Sequence, residues 1–407
     1  MISFYFILFF YFAGLGANLS SLSPYLLENF GENAEWIFIS IQLMVPVGTL
    51  FAGWLSDKTK KIRLFLYYSL GLTIPAQYFL FSFSDDWKIT MLFAGILRFL
   101  LSANYQWVVI AALEKTGEHN FSKIRSSGTL GFLIVQLLLF ILTYPTLNLL
   151  KSPLLTGKLG SIFYIIPLFF LHNLPKERIS KQEFKFKDAL VHISSKIQII
   201  FFMLSFFFYA SYQIVDNYNG RYFQLSFGLE TVYLSWVFAV LLEVPFLLSI
   251  TRIIHKFEFF SLFYLSLIAG IVRFLFLSYS VSGTSLLLLL LFQLPHAILF
   301  IGFYMGSIHF FRRTVPVHIY GSVYGLYSIF SMSLGGMCGN LLSGNLLHSD
   351  LGFNLSLFFS MSNVNEKAVS FLPIFLMALF IYTIILPFFM ILSRLYKIDQ
   401  KNHHINS

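Results

Sequence analysis

Three ionisable side chains lie deep inside otherwise apolar stretches: Glu243, Arg273 and His296. Glu243 falls about ten residues into its run, so roughly 15 Å along a helix that rises ~1.5 Å per residue. Arg273 and His296 sit about 14 and 12 residues into theirs, well within a hydrocarbon layer ~30 Å thick. A charge at that depth costs several kcal/mol unless it is paired or wetted. An acid, a permanent cation and a titratable imidazole on three consecutive helices point to a proton-handling network lining a water-filled cavity. The plainer alternative is an ion pair that locks three helices together. Asp216, in Tyr212-Gln-Ile-Val-Asp216, is the second intramembrane acid and the competing proton carrier. Arg98, midway along another apolar run, could neutralise such an acid from across the cavity.

The elements that must position these groups are transmembrane helices. The 407 residues are 57% hydrophobic and only 11% charged, less than half the charge of an ordinary soluble protein. Runs long enough to span suggest twelve helices: 2–27, 34–55, 63–83, 88–113, 125–148, 155–173, 197–218, 229–250, 258–280, 284–311, 318–347 and 370–395. The first has no charged leader and no small-residue cleavage site, so it reads as a span and not a signal peptide. The longest polar interruption, 174–196, divides the chain six plus six. This gives a bundle at 1–173, a basic linker at 174–196, a second bundle at 197–396 and a tail at 397–407.

Net charge of +9 would hint at nucleic acid in a soluble chain; here it reads as topology, and no nucleic-acid partner is expected. Most Lys and Arg fall in one alternate set of loops. Only Lys88, Lys151, Lys158, Arg221 and Lys367 fall in the other set. Positive loops stay cytoplasmic, which puts both termini and the linker on that side of a bacterial inner membrane. The single cysteine, Cys338, excludes an intrachain disulfide, and no metal-ligand spacing is present. No cofactor is expected. Buried amides at Asn18, Gln42, Asn104, Gln106, Gln136, Gln213 and Asn340 need partners, as interhelical glue or as cavity lining. Pro24, Pro46, Pro75, Pro245 and Pro295 interrupt helices and permit bending.

The loop after the second span reads Gly53-Trp-Leu-Ser-Asp57-Lys-Thr-Lys-Lys61-Ile-Arg63. It resembles the loop signature of the major facilitator superfamily. The resemblance implies an all-α fold of twelve transmembrane helices in two pseudo-symmetric six-helix bundles. It also implies a conformational lock built on Gly53, Asp57 and Lys61, with the small Gly53 admitting close helix approach. A second segment, Phe121-Ser-Lys123-Ile-Arg125-Ser-Ser-Gly128-Thr-Leu-Gly131-Phe132, resembles one found in lactose-permease-like and phenylpropionate-type proton symporters. That likeness implies substrate contacts for Arg125 and Phe132, with Tyr212, Gln106 and Arg98 as further candidates. The superfamily often carries an arginine where Arg98 stands, linked to proton coupling in some members. Glu243, Arg273, His296 and Asp216 match the group's proton-coupling positions. Departures are Leu299, Gln293 and Ile110, which stand where the sugar permease has an acid, a lysine and a sugar-binding glutamate.

The reading is a proton-coupled secondary transporter, acting as a monomer in the lipid bilayer on a small-molecule substrate and protons. The substrate candidates are an aromatic carboxylate, a nucleoside and an oligosaccharide. The alternatives are an efflux antiporter of the same fold and a membrane-embedded lipid-modifying enzyme. That enzyme would draw on His119, His255 or His318, none of which has an acid at helical spacing.

Overall fold

A computed structural model describes residues 2–147, 149–174, 186–256, 258–316, 319–359, 361 and 368–405; at 57, 113–114, 117–122, 186, 189, 250–256, 321 and 401–405 only the backbone is described. The described residues are helical, with no strand among them. Among the described residues, nine stretches are long and apolar enough to cross a membrane, and the first of these, Ile2–Ser56, holds two helices.

The first half contains α1 (Ile2–Phe30), α2 (Ala34–Thr59), α3 (Ile62–Leu80), α4 (Trp87–Thr143), and a last span built from α5 (Pro153–Gly160) and α6 (Ile165–Phe170). α4 is helical along its whole length yet holds two of the expected spans. Both arms track α1 in opposite directions. Lys115 lies over the Phe4 ring and Tyr11 donates to the Leu101 carbonyl on one arm. Ser127 donates to the Tyr5 carbonyl and Gln136 to that of Gly16 on the other. The chain therefore reverses between Lys115 and Ser127, at the end of the bundle that carries the basic loops.

A short helix, α7 (Phe186–Ile193), precedes the second half. That half contains α8 (Lys196–Phe227), α9 (Leu229–Leu241), α10 (Glu243–Lys256), α11 (Phe260–Ser280), α12 (Leu286–Leu291), α13 (Pro295–Thr314), α14 (Tyr320–Tyr327), α15 (Gly335–Leu347), α16 (Leu351–Phe358) and α17 (Leu372–Ile405). A wider helical turn, Ser328–Leu334, joins α14 to α15 in one span.

Proline sets the two breaks that matter. Pro245 has no N–H for the Leu241 carbonyl, and the span breaks at Leu242, between α9 and α10. Pro295 does the same to the Leu291 carbonyl, and tight turns replace the helix at Phe292–Leu294 before α13 begins. Glu243, Gln293 and His296 all stand at these breaks, where the backbone can re-aim a side chain.

Packing runs mainly within each half, and the halves repeat one device. On α4, a Cβ at Gly131 would lie 1.9 Å from the Phe9 carbonyl oxygen of α1. On α15, a Cβ at Gly339 would lie 2.3 Å from the Ala210 carbonyl oxygen of α8. The fifth span of each half thus meets the first backbone to backbone through a glycine. Between halves, α2 packs on α15 and the second arm of α4 packs on α9, two contacts that a two-fold axis exchanges. The fold is two pseudo-symmetric six-helix bundles.

Gly53 is not used in this way. A Cβ there would meet nothing within 4 Å, so no close helix approach demands a glycine in this conformation. Lys60 takes a left-handed φ of 60° to end α2, Lys61 leads into α3, and Arg63 donates to the Leu174 carbonyl. The Asp57 side chain lies outside the described residues.

Candidate functional site

The second half holds a buried polar cluster drawn from three helices. Arg273 of α11 and His296 of α13 are 1% and 2% exposed. Arg273 Nη2 and His296 Nδ1 each lie 3.8 Å from Asp216 Oδ1 on α8. Arg273 also donates from Nε and Nη2 to Gln293 Oε1, at 3.2 and 3.1 Å. Asn219 donates to that same oxygen at 3.4 Å. The Tyr212 hydroxyl faces Asp216, and its ring lies 5.8 Å from that of His296. A guanidinium buried in a low-dielectric bundle needs a compensating anion, and Asp216 supplies it.

The sequence-based expectation placed Glu243, Arg273 and His296 in one network; Glu243 makes its hydrogen bond to the other half, while it still interacts electrostatically with Asp216 and Tyr212 of this cluster. The direct partners of Glu243 lie on the other half. Thr129 Oγ1 donates to Glu243 Oε2 at 3.3 Å and accepts from Arg125 Nη1 at 3.3 Å. Glu243 is 7% exposed, and Arg125 is the cation acting on it. The Arg125 guanidinium stacks on the Phe12 ring at 4.1 Å and interacts with the Tyr105 hydroxyl and with Tyr304 of the opposite half. The relay from Arg125 through Thr129 to Glu243 therefore crosses from α4 to α10, and the two charges belong to different bundles.

Aromatic rings bridge the same gap. Phe132 of α4 meets Trp236 of α9 edge-on at 5.6 Å, and Trp236 meets His296 edge-on at 5.8 Å. Phe300 extends the row beside Tyr212 and His296. The bridge thus sets aromatic rings beside a carboxylate and a guanidinium. Such an arrangement suits a solute with a ring to stack and hydroxyls to bond.

The other expected residues fall elsewhere. Arg98 does not reach Asp216; the groups that act on it are the hydroxyls of Tyr11 and Tyr164. Gln106 is half-buried and makes no side-chain hydrogen bond among the described residues. The side chains of His119, His255 and His318 lie outside the described residues. Sequence reasoning missed Thr129, Trp236, Tyr105 and Tyr304. Two of these carried a readable signal. Thr129 is one turn from Arg125, and Trp236 is two turns from Glu243, so each shares a face with a residue already singled out.

At the end away from the basic loops, the halves are tied together. Arg221 Nη1 and Gln224 Nε2 of α8 donate to Glu28 Oε2 of α1, at 3.2 and 3.0 Å. Tyr233 bonds with Ser21 and Thr156, at 3.5 and 2.6 Å. The Thr129–Glu243 bond adds a further direct link between the halves.

Comparison with known proteins agrees with this architecture. The MFS_1 like family profile matches residues 1–358. The chain is 25% identical over 275 residues to "Putative nucleoside transporter YegT" of Escherichia coli (strain K12), covering 63% of this chain and 64% of that protein. It therefore spans just under two thirds of that relative's length. It is 24% identical over 293 residues to the xanthosine permease of the same organism, covering 69% of this chain and 68% of that one. The crystal structure of the nucleoside transporter NupG superposes with a TM-score of 0.76 at 16% identity, over 96% of this chain and 98% of that one. An auto-inhibited POT family peptide transporter superposes at 0.70 and 11% identity, over 97% of each chain. At such identities the two structures speak for the fold. The chain belongs to the MFS_1 like family of the major facilitator superfamily, whose multi-pass helical fold it shares.

Proposed function

We propose that the chain is a proton-coupled nucleoside permease of the bacterial inner membrane, with its basic end and both termini in the cytoplasm. The observation that carries this reading is the polar and aromatic bridge between halves, from Arg125, Thr129 and Phe132 to Glu243, Trp236 and His296. A nucleobase would stack against the Phe132, Trp236 and Tyr212 faces. The ribose hydroxyls would bond to Arg125 and Glu243. The names of the two E. coli relatives favour this solute over an aromatic carboxylate or an oligosaccharide. The halves would rock about the site in alternating access. Latching at Glu28 and Tyr233, at the end away from the basic loops, fits an inward-facing state.

The test is uptake by purified full-length protein in proteoliposomes. Saturable uptake of labelled purine or pyrimidine nucleosides, unaffected by excess lactose or phenylpropionate and lost with a protonophore, supports the reading. Uptake of the carboxylate or the sugar in preference to any nucleoside overturns it.

The latch gives a second expected outcome. The Glu28 side chain is 48% exposed, so its ion pair is worth under about 1 kcal/mol. Glu28→Gln should shift the state populations by a few-fold toward opening at that end. Distances between spin labels on the outer ends of α1 and α8 will lengthen in a larger fraction of molecules. An unchanged distance distribution removes Glu28 from the latch.

A further inference from the structure

The first half holds an arginine that no acid accompanies among the described residues. Arg98 and Asn18 border a narrow cavity between α1, α2, α3 and the first arm of α4, walled otherwise by apolar side chains such as Leu22, Ile41, Leu80 and Leu97. Asn18 is 4% exposed. Its Nδ2, and Arg98 Nε, have no hydrogen-bond partner among the described residues. Tyr11 has committed its hydroxyl hydrogen to the Leu101 carbonyl at 2.6 Å. The Tyr164 hydroxyl, also acting on Arg98, has no hydrogen-bond partner among the described residues. Every group aimed here through nitrogen is a donor, and a guanidinium carries its charge at any ordinary pH. The second half handles the same problem differently: Arg273 faces Asp216 at 3.8 Å.

A water molecule would accept these N–H groups but leave the charge uncompensated in an apolar wall. The cavity is narrow, with room for about one small species, which favours a monatomic anion over an organic one. We propose that this cavity binds a chloride ion, which neutralises Arg98 and accepts hydrogen bonds from Arg98 Nε and Asn18 Nδ2. The ion holds α1 and α4 together within the first bundle, separate from the site between the halves.

The test uses purified full-length protein with chloride replaced by gluconate at constant ionic strength. Thermal stability of the wild type should fall on chloride removal and recover saturably as chloride is returned. Asn18→Leu should raise the half-saturating chloride concentration about tenfold, the loss of one charge-assisted bond. Arg98→Gln should abolish the dependence. If Arg98→Gln does not fold, Asn18→Leu and crystals soaked in bromide decide instead, with anomalous density expected between Arg98 Nε and Asn18 Nδ2. Stability indifferent to chloride, dependence unchanged in either variant, or density at that point without an anomalous signal overturns the proposal and leaves a water in the cavity.

Discussion

Arg125→Ala is expected to weaken nucleoside binding by about ten- to a hundredfold. The guanidinium is stacked on Phe12 and fixed by Thr129, so its remaining N–H groups are aimed before any solute arrives. A charge-assisted hydrogen bond in such a setting is worth about 1.5–3 kcal/mol, which converts to that range of affinity. Arg125→Lys keeps the charge but loses the planar fork and the stack, and should fall between wild type and alanine. Equilibrium binding by purified protein measures both variants. Unaltered affinity in Arg125→Ala would return this residue to a charge that only marks the basic end of a span.

Arg273→Met is expected to destabilise the fold by about 3–5 kcal/mol, the usual cost of removing one partner from a buried ion pair. The loss comes from what remains: the Asp216 carboxylate, beside Tyr212 and His296, with no guanidinium at 3.8 Å. Removing the acid as well should recover much of that stability, so Arg273→Met with Asp216→Asn will be more stable than Arg273→Met alone. The comparison is a double-mutant cycle read by thermal unfolding. Additive losses would mean that Asp216 and Arg273 do not act as a pair. Because α8, α11 and α13 all contribute, the cluster ties three spans of one half into a rigid body.

The spans were legible because their signal is local. Runs of apolar residues mark them, and Pro245 and Pro295 mark where two of them break. The reversal within α4 was read as two separate helices, which its two arms in effect are, although the backbone stays helical between them. What the sequence hid was pairing. Asp216, Glu243 and Arg273 are each a span or more apart, and which acid meets the arginine depends on how α8, α10 and α11 rotate against one another. Periodicity within one helix cannot show that. The aromatic bridge was hidden for a related reason: in a chain with 51 phenylalanines and 5 tryptophans, nothing local separates Trp236 from rings that face lipid. Gly53 was read as a contact point from its motif, but the conformation described here leaves it open.

We propose that the proton rides on Glu243, because its counter-charge Arg125 belongs to the opposite half. Rocking of the halves would change their separation, and with it the affinity of Glu243 for a proton, while Asp216 and Arg273, both in the second half, would stay together. Differential affinity between states is what coupling requires. The direct measurement is nucleoside accumulation in proteoliposomes under an imposed pH gradient, for wild type, Glu243→Gln and Asp216→Asn side by side. The expected result is that Glu243→Gln still exchanges labelled for unlabelled nucleoside but accumulates none against a gradient, while folded Asp216→Asn still accumulates it. Uphill uptake that survives in Glu243→Gln and fails in Asp216→Asn would contradict the account and place the proton on Asp216.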